Sequence, residues 1–320
     1  MLKRFLELVE IRTKVAGIIP FIWGSVYTGY YFHKLRIYPL IFFFISIFAF
    51  DMFTTALNNY QDWKKARKKQ GFNYEKHNAI VRYGMAEGKV VALLILLFVI
   101  AVVFGLITFF NSDIVVLLLG VLSFLIGILY SAGPLPLSRT PLGEIFSGIF
   151  MGYILPFLAV YLSLCDMRPI IFKVSSDIFT ITLNLQILFP ITLILIPTTL
   201  LITNIMLANN ICDTEDDIID KRYTLPICMG RKKALVLFNL LYALCYSDII
   251  LCIILGFLPI FSLIVLIPSL IVVRNLKAFK LSQEKKKTFA LSVLNFLFIM
   301  IPLIISILPG WIFNLQYWKH

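Results

Sequence analysis

The run Leu201-Ile202-Thr203-Asn204-Ile205-Met206-Leu207-Ala208-Asn209-Asn210-Ile211-Cys212-Asp213-Thr214-Glu215-Asp216-Asp217 passes within a few residues from an apolar segment to a crowd of carboxylates, which Asp220 extends. Upstream the chain stays apolar back to about residue 187. The segment 187–208 therefore matches the roughly 20 residues that a helix needs to cross a bilayer. Read outward from it, eight further apolar segments appear, at 15–32, 37–60, 90–110, 114–131, 143–164, 234–257, 259–273 and 288–308. The eighth in chain order, 259–273, is short and is expected to borrow from its flanks. Composition agrees: 60% of the 320 residues are hydrophobic and 14% charged, whereas soluble domains run near 45–50% and 25%. A water-soluble enzyme is excluded, and so is a disordered chain, because 29 Phe and 14 Tyr cannot stay solvated. The expected fold is all-α: a polytopic membrane protein, a bundle of nine transmembrane helices.

Nine crossings assign every loop to a side. With the N-terminus in the cytosol, 24 of the 29 Lys and Arg fall inside and five (Lys34, Arg36, Arg168, Lys173 and Lys319) outside. The positive-inside bias thus supports both orientation and helix number. It also accounts for the net charge of +12 without a nucleic-acid partner; the expected surroundings are the lipid bilayer. Five scattered cysteines with no CxxC pair read as reduced packing residues. No cleavable signal peptide is expected, since the first apolar run follows a charged stretch and lacks a small-residue cleavage site.

The acidic rim has an echo. The second segment ends Ala56-Leu57-Asn58-Asn59-Tyr60-Gln61-Asp62 and the sixth ends Leu207-Ala208-Asn209-Asn210-Ile211-Cys212-Asp213, both reading Asn-Asn-x-x-Asp. The copies lie four helices apart, on one side of the membrane. The expected organisation is a single domain, 1–320, of two pseudo-repeated halves, about 1–131 and 143–273, plus a ninth helix, 288–308, each half giving one polar corner to a shared site. Helical spacing aligns Asp51, Asn58 and Asp62 on one stripe and Asn209, Asp213, Asp217 and Asp220 on another. Stacked carboxylates repel unless a cation sits among them, and Mg²⁺ is typically held by one or two carboxylates plus substrate phosphates. Two such corners would clamp a diphosphate through Mg²⁺, with Asn58, Asp62, Asp213 and Asp217 as metal ligands and Asn209 beside them. Lys64, Lys65 and Arg67 after the first corner, and Lys221 and Arg222 after the second, would neutralise the departing diphosphate. The substrate's tail would lie among the helices.

These residues resemble the UbiA-type intramembrane prenyltransferases, a family of nine transmembrane helices with one Asp-rich motif after the second helix and one after the sixth. The first motif is matched by Asn58 and Asp62, its last position being Ala66; the second is matched by Asp213 and Asp217 and continues into Lys221-Arg222 and Thr224-Leu225-Pro226. Within that family Tyr130-Ser131-Ala132-Gly133-Pro134-Leu135-Pro136, Leu142-Gly143-Glu144 and the His77-Asn78 to Arg82 segment resemble the 1,4-dihydroxy-2-naphthoate polyprenyltransferases of menaquinone biosynthesis. The resemblance implies transfer of a polyprenyl group from its diphosphate to the naphthoate ring, with loss of the ring carboxylate, giving demethylmenaquinone. Such chemistry passes through an allylic cation that water would quench, so a dry, aromatic-rich bundle suits it. Tyr130 is the candidate to stabilise that cation by its ring face, and Arg139 or Lys14 the candidate to hold the acceptor's carboxylate.

Other polar residues have plainer readings. Asp51, about two turns inside its segment, is a second partner of the cluster or a direct ligand. Glu144 suits a helix N-terminus electrostatically, Asp248 pairs with a neighbouring helix or reaches the interface, and His77 is a loop hydrogen-bonder. Rival functions are a prenyltransferase with another aromatic acceptor, such as 4-hydroxybenzoate or haem, and a secondary transporter. The transporter is disfavoured because the acids collect at helix ends rather than at the midplane.

Overall fold

The computed structural model describes residues 2–65, 78–285 and 287–312. Among these residues nine long helical stretches follow the apolar segments: α1 (Val15–Phe32), α2 (Ile37–Lys65), α3 (Glu87–Phe110), α4 (Ile114–Ser131), α5 (Gly143–Met167), α6 (Leu185–Cys212), α7 (Arg231–Ile254), α8 (Ile260–Leu281) and α9 (Phe289–Ile312). Among the described residues eight of them, α2 to α9, are long and apolar enough to cross a membrane. The first, α1, carries Gly24, Ser25, Thr28, Gly29 and four aromatic residues with polar tips. Its buried Trp23, Tyr27 and Thr28 face protein rather than lipid, and the Trp23 indole donates to the Ile194 carbonyl of α6 at 2.9 Å. A helix covered by its neighbours needs less apolar surface of its own.

Two local departures from the expected helices have clear causes. The eighth stretch is broken: a 3₁₀ segment, Ile260–Leu266, precedes the α-helix Ser269–Leu281, and Pro268 between them cannot supply the missing donor. It gains its length toward Leu281, so Arg274, Lys277 and Lys280 lie on the helix and not in a loop. The all-α expectation also needs correction. Ile170–Ser175 (β1) and Ile178–Leu183 (β2) pair as an antiparallel hairpin between α5 and α6, where β-branched and aromatic residues dominate a stretch too short to span a bilayer.

The chain divides into two compact units, Met1–Ile18 with Ile37–Leu137, and Ile19–Arg36 with Ser138–His320. The division at 137/138 falls in the loop between the proposed halves, and most of α1 groups with the second unit. In the first unit α2 is the organising helix. Leu8 and Val9, after the short helix Leu2–Leu8, pack with Phe53, Ala56, Ala79, Ile80, Val90, Leu94 and Leu97. Ser46 ties α2 to α3 by donating to the Ala101 carbonyl at 2.7 Å.

In the second unit α6 has that part. Its neighbour α5 contains a π-helical segment, Gly148–Ile154, and there the two backbones come close. A Cβ on Gly152 would lie 2.6 Å from the Thr199 Cα, and one on Gly148 would collide with Thr203, so only glycine permits this approach. Three pairings of polar groups cross between helices inside the bundle, where lipid offers no partner: Asn204 donates to the Phe238 carbonyl at 3.0 Å, Asn275 to Asn295 at 2.8 Å, and Ser262 meets Ser306 at 2.8 Å. Asp248 is buried and accepts from the Cys252 thiol of its own helix at 3.8 Å, which is neither of the two expected settings, a neighbouring helix or the interface. Among the described residues the five cysteines form no disulfide.

Candidate active site

The acidic rim of α6 is the best-defined polar site. The helix ends at Cys212, yet its hydrogen-bond ladder carries on: the Asp213 N–H donates to the Asn209 carbonyl at 3.0 Å and the Asp217 N–H to the Asp213 carbonyl at 2.8 Å. This continuity stacks Asn209, Asp213 and Asp217 one turn apart, as their spacing predicts. Asp220 belongs to the same run but is exposed. Asn209 donates to Asp213 at 3.3 Å. Lys221 then takes a left-handed conformation, φ 54°, uncommon for a residue with a Cβ, and reverses the chain so that the Arg222 N–H returns to the Asp217 carbonyl at 2.8 Å. The Lys221 side chain stays exposed.

Asp217 is the buried member, 4% exposed. Thr224 donates to it at 3.2 Å, and the Arg222 guanidinium stands 3.7 Å away. Burial pushes its carboxyl up to about 6, with Arg222 opposing the rise and Asp213 adding to it. Asp213, more open, forms an ion pair with Lys285 from the loop between α8 and α9. Arg139 is brought to the same place by backbone, its carbonyl accepting from the Tyr223 N–H at 2.9 Å.

Two contacts at this rim are visible only in the structure. Glu144 is fully buried at the start of α5 and accepts from Asn210 of α6 at 2.8 Å. It is thus an anchor for the Asn-Asn pair and more than a helix-end charge; the sequence signals were an acid opening an apolar segment and its place in the Leu142-Gly143-Glu144 stretch that carries the family resemblance. Lys285 sits in a basic run that the positive-inside rule had already explained, so nothing in the chain distinguished it from its neighbours.

The first corner, described by itself, lies at the end of α2. Asn59 is buried and clamps the amino-terminal turn, donating to the Leu8 carbonyl at 3.0 Å and to Glu10 at 3.2 Å, while its own carbonyl accepts from Asn78 at 2.7 Å. Asn58 and Asp62 are half-buried on the same helix end. Lys64 pairs with Glu87 at 3.0 Å. The side chain of Lys65, and Ala66, Arg67 and His77, lie outside the described residues. Asp51 stands deeper and is paired: the Lys14 ammonium donates to its carboxylate at 2.7 Å, to its carbonyl at 3.1 Å and to Thr55 at 2.6 Å. All three protons of Lys14 are therefore engaged within this unit. Tyr130 lies half-buried at the end of α4, next to Ser131, which donates to the Thr54 carbonyl at 3.2 Å.

Among the described residues no three His, Cys, Asp or Glu side chains converge as a closed metal cage. The donor set is nonetheless suited to a hard cation. Asn209, Asp213 and Asp217 offer only oxygen acceptors besides one amide, and Mg²⁺ completes its shell with water and phosphate oxygens.

A bundle of helices long and apolar enough to cross a membrane, with an Asn/Asp ladder and attendant Lys and Arg at one rim, defines the class: a multi-pass membrane protein with a polar corner at a helix end. The chain belongs to the UbiA prenyltransferase family, whose model matches residues 15–314; it is a multi-pass membrane protein and a prenyltransferase. It is 30% identical, over 243 residues covering 75% of this chain and 70% of the relative, to the 1,4-dihydroxy-2-naphthoate octaprenyltransferase of Bacillus subtilis (strain 168). Its fold matches that of a UbiA homologue from Aeropyrum pernix K1 solved in its apo form, with TM-score 0.67, 17% identity, and 92% and 98% of the two chains covered. It also matches a UbiA homologue from Archaeoglobus fulgidus solved with GPP and Mg²⁺ bound, with TM-score 0.54, 14% identity, and 95% and 86% covered. At those identities the two structures speak to fold alone.

Proposed function

We propose that the enzyme transfers a polyprenyl group from polyprenyl diphosphate to 1,4-dihydroxy-2-naphthoate, giving demethylmenaquinone in its reduced form. The observation that carries the chemistry is the Asn209–Asp213–Asp217 ladder flanked by Arg222, Lys221 and Lys285; the acceptor rests on similarity to the naphthoate enzyme of B. subtilis. The allylic C–O bond breaks and the diphosphate keeps the electron pair. A ring carbon of the naphthoate forms the new C–C bond, and the ring carboxylate departs as CO₂, leaving its electrons in the ring. Asn58, Asp62, Asp213 and Asp217 are the metal ligands in this reading, Asn209 binding beside them. Bound Mg²⁺ would supply charge neutralisation for the diphosphate.

The chain's own residues do the rest. Lys65, Lys221 and Arg222 receive the negative charge that develops on the leaving group. Tyr130 offers its ring face to the allylic cation, and the apolar helices keep water from it. Arg139 holds the acceptor's carboxylate. The sequence offers Lys14 for the same role, but an ammonium whose three protons are taken by Asp51 and Thr55 is the poorer candidate. The same reading has nine crossings with the N-terminus in the cytosol, the site near the cytosolic face of the cell membrane, and a single domain of two pseudo-repeated halves.

The test is an acceptor assay on purified enzyme in nanodiscs with polyprenyl diphosphate and Mg²⁺. Prenylated product is expected from the naphthoate and none from 4-hydroxybenzoate, and EDTA should stop the reaction. Asp62→Ala and Asp213→Ala should each lower kcat/KM by at least about 100-fold, the scale seen when one fixed charge-stabilising group is lost. Product from 4-hydroxybenzoate alone would overturn the acceptor, and full activity of both variants would overturn the metal site.

A further inference from the structure

The hairpin between α5 and α6 has no part in the chemistry above, and its strand register decides what its two faces can do. Ile170 pairs with Leu183, Phe172 with Ile181 and Val174 with Phe179. Side chains alternate along a strand, so these six apolar residues share one face. The other face carries Ile171, Lys173, Ser175, Ile178, Thr180 and Thr182. On the apolar face Val174 is 78% exposed and Phe179 62%, while Phe172 stacks its ring on Phe179 at 5.9 Å and 11°. A lone two-stranded hairpin is marginal in water, and leaving the four exposed members of that face, Val174, Phe179, Ile181 and Leu183, solvated makes it worse.

Three observations say what covers the face. The first is the tether: only Arg168 and Pro169 separate β1 from α5, only Asn184 separates β2 from α6, and the Asn184 N–H closes the base by donating to the Pro169 carbonyl at 2.9 Å. The hairpin cannot leave the rim of two membrane helices. The second is continuity, because α6 begins at that rim with Leu185 and Phe189 exposed, an apolar surface of the kind lipid covers. The third is chemistry. Lys173 and the threonines of the opposite face, with Arg168 at the base, suit phosphate and carbonyl groups of lipid heads, and the unpaired strand edges need polar partners that the hydrocarbon core lacks.

We propose that residues 170–183 form an interfacial foot, lying along the bilayer surface at the end of α5 and α6 opposite the acidic rim. Its apolar face rests on the acyl boundary and its Lys/Thr face lies among the headgroups. Since α5 carries Glu144 and α6 carries Asp213 at their far ends, the foot holds the depth of the two helices that build the second corner. The occupant is the lipid surface, and a second copy of the chain is the competing one.

Nitroxide labels report the difference. Cysteines placed singly at Val174, Phe179, Lys173 and Thr180, in a chain whose Cys165, Cys212 and Cys228 are replaced by serine, would be spin-labelled in phosphatidylglycerol-containing nanodiscs, and collision with oxygen compared with collision with a water-soluble nickel chelate. Labels at 174 and 179 are expected to favour oxygen, and those at 173 and 180 the chelate. Equal chelate access at all four positions would mean that the face is solvated; protection of 174 and 179 from both reagents would mean that protein covers it. Either result overturns the proposal, whatever the acceptor assay gives.

Discussion

Glu144 and Lys14 show how a charged side chain gains a role only from what it meets. Glu144 holds Asn210 from a neighbouring helix and thereby the orientation of Asn209 and Asp213 one turn on. It is a positioning residue, and loss of such outer-layer support typically costs 10- to 100-fold in metal affinity or activity. Glu144→Gln should therefore raise the Mg²⁺ concentration needed for half-maximal rate by about 10-fold, with the prenyl-acceptor preference unchanged. An unchanged Mg²⁺ dependence in a titration of initial rates would exclude that role. Lys14 and Asp51 form a buried pair, the lysine 2% exposed. Removing one partner strands the other charge, so Lys14→Met should cost about 3 kcal/mol, at the low end of the usual range because Asp51 keeps some exposure. The double variant Lys14→Met/Asp51→Leu should recover most of it. Thermal unfolding in detergent decides this; a double variant less stable than the single would refute the pairing argument.

For the elements, spacing and glycine do different work. The apolar segments announced the helices to within a few residues, except the eighth, which runs on from 273 to Leu281, because a bilayer demands both length and apolarity. How closely two helices pack was invisible. The π-helical segment of α5 brings Gly152 against the Thr199 backbone, and a π turn leaves no trace in an apolar run. Gly152→Ala should destabilise by about 1–3 kcal/mol through forced separation of α5 and α6. Gly88→Ala in α3, where nothing lies within 4 Å of the added carbon, should be neutral or stabilising by up to about 1 kcal/mol. The pair is read as midpoints of thermal unfolding, and equal shifts would show that the close approach does not matter.

At the scale of the molecule, charge distribution is the testable property. The proposed orientation places the acidic rim, with 24 of the 29 basic residues, in the cytosol and the hairpin outside. A cysteine at Ser282 should react with a membrane-impermeant maleimide only in inverted vesicles, and one at Ser176 only in right-side-out cells or spheroplasts. The opposite pattern would reverse the topology, and labelling of both from one side would break the nine-crossing count.

What the chain determined by itself is what local chemistry dictates. Apolar length set the membrane helices, and the i, i+4 spacing of Asn209, Asp213 and Asp217 set the ladder, since a helix converts spacing directly into a face. The Asn-Asn-x-x-Asp echo pointed to both corners for the same reason. Tertiary structure alone decided which charges are used up and which are recruited from afar. Lys14 and Asp51 lie 37 residues apart and Lys285 and Asp213 lie 72 apart; Glu144 and Asn210 are separated by 66. A buried charge must find a partner wherever the fold supplies one, and no periodicity along the chain records which distant residue that will be.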